Sequence, residues 1–185
     1  YSLFMTLALV GTVFTLGTIL GLLAGYFGGI VDTIIMRLAD MMVSFPGIIL
    51  AIAIAGLLGP SMTNAIIAIS SVTWPKYARL SRSMVLKIKK ELYVEAAKLT
   101  GSKDKDILFK YILPNMITLM LVTAISDINT LMLEISALSF LGFGAQPPIP
   151  EWGAMLNEAK TSIGTKPGQM LAPGIAILGT VAIFN

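Results

Sequence analysis

Three long stretches of this chain contain no charged side chain at all: Tyr1 to Val31, Met41 to Pro75, and Pro167 to Asn185. A helix needs about 20 apolar residues to cross a hydrocarbon core of roughly 30 Å, where no water is available to satisfy a backbone that is not already hydrogen-bonded. Each stretch can hold at least one such helix, so the expected fold is all-α, a polytopic transmembrane bundle. Composition agrees, since 56% of the 185 residues are hydrophobic, 12% are charged and the mean hydropathy is +0.85, values outside the range of soluble globular domains.

The residue types narrow the chemistry further. The sequence has no Cys and no His, which removes disulfide frameworks, thiolate and imidazole metal sites, Cys nucleophiles and Ser-His-Asp triads together. It also lacks the G-x-x-x-x-G-K-[ST] phosphate loop, so the chain alone is not expected to hydrolyse ATP. The apolar start has no basic n-region, initiator Met or small-residue cleavage site, which argues against a signal peptide. The sequence is therefore expected to begin and end inside a longer protein.

Read along the chain, the first span runs from about Ser2 to Phe27 and ends at Gly28-Gly29. Gly17, Gly21 and Gly25 fall on one of its faces, either as a close-packing stripe or as ordinary glycine tolerance in a membrane helix. Asp32, Arg37 and Asp40 then give a partly interfacial helix a polar side. Pro46-Gly47 breaks or kinks it, and Ile48 to Leu58 is expected to be continuous with it. A third span begins near Met62 and must pass Lys76 and Arg79 to be long enough, with the basic side chains snorkelling. A fourth covers about Ile112 to Ala137, a polar, proline-rich segment over 138–167 follows outside, and a fifth begins near Gln169. Five spans are expected here, and six in the full chain.

Charge is concentrated in one place. From Lys76 to Lys110 the chain carries ten of its 13 Lys and Arg against four acids, a net +6, leaving −3 for everything else. The positive-inside rule puts this segment in the cytoplasm. Within it, Glu91 to Leu99 reads as a short helix with Gly101 as its left-handed C-cap. Ser102 reads as the N-cap of a second helix with Asp104 in its first turn, running to about Leu113, where Pro114 marks the start of the next span. The two helices are expected to meet at Ala96, Ala97 and Gly101. Leu92, Val94, Leu99, Ile107, Leu108 and Phe109 cannot all be covered by so small a unit, a pattern expected of a docking surface; the plainer alternative is a solvated loop that only sets topology.

Glu95-Ala96-Ala97, then Gly101, then Ile112-Leu113-Pro114-Asn115, resembles the EAA loop of importer-type ABC transporter permeases. GLLAGYFGGIVD (Gly21 to Asp32), RLADMMVSFPG (Arg37 to Gly47), WPKYARLSRSMVL (Trp74 to Leu86) and LSFLGFGAQPPIPEWGAML (Leu138 to Leu156) extend the resemblance to the "C"-type subunit of the dipeptide/oligopeptide/nickel permease subfamily. The sequence departs from that pattern at Tyr111, where the family usually has His, at Glu151, commonly Ser, and at Gly168, often aromatic. The resemblance implies a multi-pass permease of a prokaryotic plasma (inner) membrane that imports peptides, nickel or metal chelates. Its implied partners are a second, "B"-type permease subunit, two cytoplasmic ABC ATPases and an extracytoplasmic substrate-binding protein. It binds no cofactor itself, ATP and Mg belonging to the ATPases. Residues 76–111 would form the coupling region, with Glu95, Ala96, Ala97, Gly101, Ile112 and Pro114 making or shaping the contact, and Lys98, Lys103, Lys105 and Lys110 adding peripheral pairs worth less than about 1 kcal/mol each.

Asp127 and Glu134, seven residues apart in the fourth span, share a helical face. They would line the translocation path or bond to a neighbouring helix. Gln146, Pro147, Pro148 and Trp152 would contact the binding protein or form a lid, unless they only stiffen the loop. Competing classes are an ion-coupled carrier or channel, disfavoured because no internal repeat is found, and a membrane-embedded hydrolase left with only Asp127 and Glu134 as catalysts. Nucleic-acid binding is not expected, because aromatic residues are sparse in the basic segment.

Overall fold

Glycine and proline set the helix boundaries, and the apolar runs between them form the helices. The computed structural model describes residues 1–184, and among these the regular structure is helical with no strand. The elements are α1 (Ser2–Phe27), α2 (Gly29–Val43), α3 (Gly47–Leu58), α4 (Met62–Ile88), α5 (Leu92–Leu99), α6 (Asp104–Phe140), α7 (Trp152–Ala159) and α8 (Gly168–Phe184). Gly28 and Gly29, at φ 67° and 52°, turn the chain out of α1.

Two expectations are corrected, and a third, the number of spans, is not confirmed. The apolar stretch after Pro46 does not continue α2: helical geometry stops at Ser44, whose N–H closes the helix on the Asp40 carbonyl at 3.0 Å, and α3 restarts from Pro46, whose carbonyl accepts from Leu50 N–H. Proline lacks the donor that continuity requires and pushes the preceding residue out of helical geometry. In the opposite sense, the second hairpin helix and the following span are one helix, α6, because the chain adopts a π-helical turn over Ile107–Ile112 just before Pro114. The wider turn, with Leu113 N–H bonded to Leu108 O, makes room where the proline ring would otherwise meet the carbonyl one α-turn earlier. By length and apolarity, finally, only α1 and α6 qualify as spans among the described residues, or three spans if α2 and α3 count as one broken crossing. The expected five include α4, which is diluted by its basic residues, and α8, which has 17 residues.

The contacts divide the chain into two units. One comprises Val13–Ser44 and Thr73–Ala124. In it the stripe Gly17, Gly21 and Gly25 lies against α4: a Cβ built on Gly21 would overlap the Ala78 carbonyl oxygen and fall 2.6 Å from Ser81 Cβ, and one on Gly17 would lie 2.8 Å from Trp74 O. The stripe is thus a packing seam, which resolves the alternative that the spacing leaves open. Ser81 Oγ donates to Thr18 O at 2.9 Å across it, and Phe14 meets Tyr77 edge to face at 6.3 Å.

The other unit comprises Tyr1–Thr12, Phe45–Val72 and the chain from Ile125 onward. Here Gly153 packs on the backbone of Ser136, a Cβ there falling 2.8 Å from Ser136 Cα. Ser61 N–H donates to Phe143 O at 3.3 Å, and Asn64 Nδ2 donates to the Leu58 and Gly59 carbonyls at 2.9 and 3.0 Å, closing the turn between α3 and α4.

Candidate functional site

The charged hairpin is built from α5, the turn after it and the first turns of α6. Val94 and Ala97 are the buried residues of α5, which packs on the π-helical turn, where Ile107, Leu108 and Ile112 are buried. Tyr93 and Tyr111 stack at a tilt with centroids 6.4 Å apart. The turn itself is tight. Gly101 takes φ 85°, its N–H bonds to Lys98 O and the Ser102 N–H to Ala97 O, both at 3.0 Å. These two bonds make a Schellman cap, which satisfies carbonyls that the helix end would leave open. Gly101 has nothing within 4 Å of the place a Cβ would occupy, so its requirement is for left-handed backbone and not for space.

Two details differ from the sequence reading. Ala96 is exposed and does not lie between the helices, because the one-residue step from Ala97 turns it by about 100° around α5, off the packed face. Ser102 is not the N-cap of the second helix: Lys103 holds that position, and the Ser102 N–H is already used in the Schellman cap. Asp104 is in the first turn as expected.

What the hairpin leaves outside is as informative as what it buries. Leu92 is 82% exposed, Leu99 90% and Phe109 67%. Glu95 and Ala96 are exposed beside them, while Pro114 is exposed farther along α6 and Ile112 is wholly buried. A cleft of about 530 Å³ flanks α5, lined by Leu86, Lys89, Lys90, Glu95, Lys98 and Leu99. Three ammonium groups against one carboxylate give it a positive rim over apolar walls.

Asp127 and Glu134 lie on α6 in the other unit. Asp127 is buried and Glu134 half-buried, and neither carboxylate is without a partner. Gln146, Pro147 and Pro148 are exposed, and Gln146 Nε2 donates to the Gly142 and Gly144 carbonyls at 3.1 Å. Trp152 is half-buried and opens α7.

Glu151, a departure from the family pattern, has a specific place. It is fully buried at the N-cap of α7, where its carboxylate accepts from Ala154 N–H at 2.9 Å and from Ser2 Oγ–H at 3.3 Å; Ser2 Oγ in turn accepts from Trp152 N–H at 2.9 Å. A carboxylate suits the positive end of a helix. Glu151→Ala should cost about 1–2 kcal/mol, the usual loss for a helix cap, whereas Glu151→Gln, which keeps an accepting oxygen, should cost less. Thermal unfolding of the detergent-purified protein checks the order of the two variants.

Several contacts escaped the sequence reading. Arg82 meets Asp32 through a fork, Nε to Oδ1 at 2.5 Å and Nη2 to Oδ2 at 2.6 Å, and Arg79 pairs with Asp40 at 2.7 Å. The available signal is that Asp32 and Asp40 share one face of α2 at a spacing of eight while Arg79 and Arg82 share one face of α4 at a spacing of three.

Comparison with known proteins adds three findings. Residues 17–185 match the sequence pattern of the family described as the binding-protein-dependent transport system inner membrane component. The chain is 47% identical over 169 residues to a dipeptide transport system permease protein of Alkalihalophilus pseudofirmus, covering 91% of this chain and 56% of that protein. It is 45% identical over 170 residues to a glutathione transport system permease protein of Pectobacterium atrosepticum, covering 92% and 56%. The chain thus spans 56% of the length of both relatives. Among solved structures, a chain of the MetNI methionine ABC transporter in an inward-facing conformation superposes with a TM-score of 0.73 at 20% identity, over 99% of this chain and 87% of that one. At that identity the likeness speaks to fold.

Proposed function

Because this chain belongs to the family of binding-protein-dependent transport system inner membrane components, we propose that it is the permease part of an ABC importer that moves small peptides inward, driven by ATP hydrolysis in partner subunits. The observation that carries the proposal is the hairpin, whose inner face is packed while Leu92, Leu99 and Phe109 stand in solvent beside Glu95. Exposed apolar residues on a small rigid element are the signature of a docking surface. In this reading a cytoplasmic ATPase covers those three side chains, with Glu95 and the neighbouring lysines setting charge complementarity at the rim. Rigidity matters because a force applied to a loose loop would be absorbed by it. The Schellman cap at Gly101 and the buried Val94, Ala97, Ile107, Leu108 and Ile112 supply that stiffness, and α6 continues without a break from the hairpin into the membrane.

The relatives' names support the peptide branch of the substrate class, with dipeptides and glutathione as the candidates. Peptides carry a cationic amino terminus, and in this reading Asp127 and Glu134 of α6 would line the path that such a group follows. Gln146, Pro147, Pro148 and Trp152 are the proposed contacts for the extracytoplasmic binding protein. A second permease subunit completes the path.

Gly101→Pro removes the left-handed turn and its N–H, and Glu95→Arg reverses the charge at the rim. Each should lower the ATPase that co-purifies in mild detergent by about tenfold or more, the factor equivalent to about 1.4 kcal/mol, and should abolish substrate-dependent ATP hydrolysis. If both variants retain wild-type complex and activity, the hairpin is not the docking element.

A further inference from the structure

We infer that Tyr26 is a positioning residue that fixes the hairpin to the end of α1, an inference about the geometry behind the docking role proposed above and resting on it for its functional consequence. Four contacts converge on this one side chain and its carbonyl. The phenol O–H donates to Asp104 Oδ1 at 2.5 Å, at the start of α6. The ring carries Lys89 Nζ at 5.5 Å and Lys98 Nζ at 5.8 Å from its centroid. The main-chain carbonyl accepts from Lys89 Nζ at 2.6 Å. Tyr26 is 6% exposed. It therefore holds the residue after α4, the last turn of α5 and the first residue of α6 from a single point.

The chemistry fits that task. Two ammonium groups over one aromatic ring would repel each other in an apolar setting, and the negative face of the ring and the carbonyl oxygen offset the repulsion. The Asp104 carboxylate, accepting the phenol hydrogen bond, supplies the nearby negative charge. Tyr26 itself is a fixed reference, because at the residue just before it α1 is locked against α4: a Cβ on Gly25 would fall 2.8 Å from Val85 Cβ and 3.0 Å from Arg82 O. Just after it, the left-handed Gly28 and Gly29 release the chain from α1. The anchored end lies between a rigid seam and a turn. A displacement imposed on the hairpin thus reaches α1 and α4 together.

The test uses Tyr26→Phe, which keeps the ring, the lysine contacts and the fold and deletes only the hydroxyl, and Tyr26→Leu, which deletes the ring contacts as well. In the assembled transporter, hydrogen exchange over residues 92–103 should quicken about tenfold in Tyr26→Phe, as expected for loss of a hydrogen bond to a charged group, and more in Tyr26→Leu. In proteoliposomes, substrate moved per ATP hydrolysed should fall several-fold in Tyr26→Phe, while co-purified ATPase stays within about twofold of wild type. Unchanged hairpin exchange in Tyr26→Phe overturns the inference, whatever the transport result. Quickened exchange with an unchanged transport-to-ATP ratio leaves the anchor in place but removes its functional consequence; failure of Gly101→Pro and Glu95→Arg to disturb the ATPase would instead overturn the docking role.

Discussion

Gly21→Ala should destabilise the protein by about 3 kcal/mol, the upper end of the usual cost of overpacking, although the substitution adds one methyl group to a membrane helix. The added Cβ would overlap the Ala78 carbonyl oxygen and come within 2.9 Å of the Ala78 carbonyl carbon and 2.6 Å of Ser81 Cβ. Two of those three atoms are backbone, so no rotamer change relieves them, and the two helices would have to move apart. Separation along α1 also loosens the contacts that Gly17 makes with Trp74 and Tyr77 and that Gly25 makes with Val85. With no hydrophobic drive between helices in lipid, close backbone approach is the main source of helix association, and a lost ångström is a large loss. Gly11→Ala provides the control, since nothing lies within 4 Å of its Cβ position. Gly25→Ala should fall between the two, because its tightest neighbour at 2.8 Å is a Val85 side-chain atom. Thermal midpoints of the three variants in one detergent give the ranking, and equal midpoints for Gly21→Ala and Gly11→Ala would rule out the seam.

Features encoded within a few residues were legible in the sequence. The start of α1 at Ser2, its end at the glycine pair and the start of α4 at Met62 all follow from apolar runs punctuated by Gly and Pro. So does the left-handed Gly101, because a helix end needs a residue that tolerates positive φ. The three-glycine spacing named the correct face of α1 but not its partner, which lies more than 50 residues away. Pro46 was visible as a breaker, yet whether a proline kinks or ends a helix depends on what surrounds it. The π-helical turn before Pro114 is a backbone accommodation with no residue signature of its own. Ala96 and Ala97 are chemically identical neighbours, and only the side on which α6 packs decides that one is buried and the other exposed. The Tyr26–Asp104 and Arg82–Asp32 contacts bridge 78 and 50 residues, and a single sequence does not show which acid meets which base.

Arg82→Glu should be the most damaging single change among the charged residues outside the hairpin, at about 3 kcal/mol. The fork that Arg82 makes on Asp32 is bidentate and partly shielded, with side-chain exposures of 34% and 19%. Hydrogen bonds to charged groups contribute about 1.5–3 kcal/mol when buried, and the residual solvent here reduces that, so Arg82→Gln should cost about 2 kcal/mol. Glutamate in its place adds repulsion between two carboxylates over a similar distance. Arg82→Lys keeps the charge but loses the planar fork, and about 1 kcal/mol of the loss should remain visible. The outer pair behaves differently, because Arg79 and Asp40 are 45% and 61% exposed, and Arg79→Gln should change stability by less than about 1 kcal/mol. The decisive variant is the exchange Asp32→Arg with Arg82→Asp. If the pair matters through mutual attraction between α2 and α4, the exchange should recover at least half of what Arg82→Glu loses, and added salt should weaken the recovery. If the exchanged protein is no more stable than either single reversal, the contribution of Arg82 lies in its aliphatic stem packed along α4, and truncation to methionine, which keeps the stem and discards the charge, should then be nearly neutral.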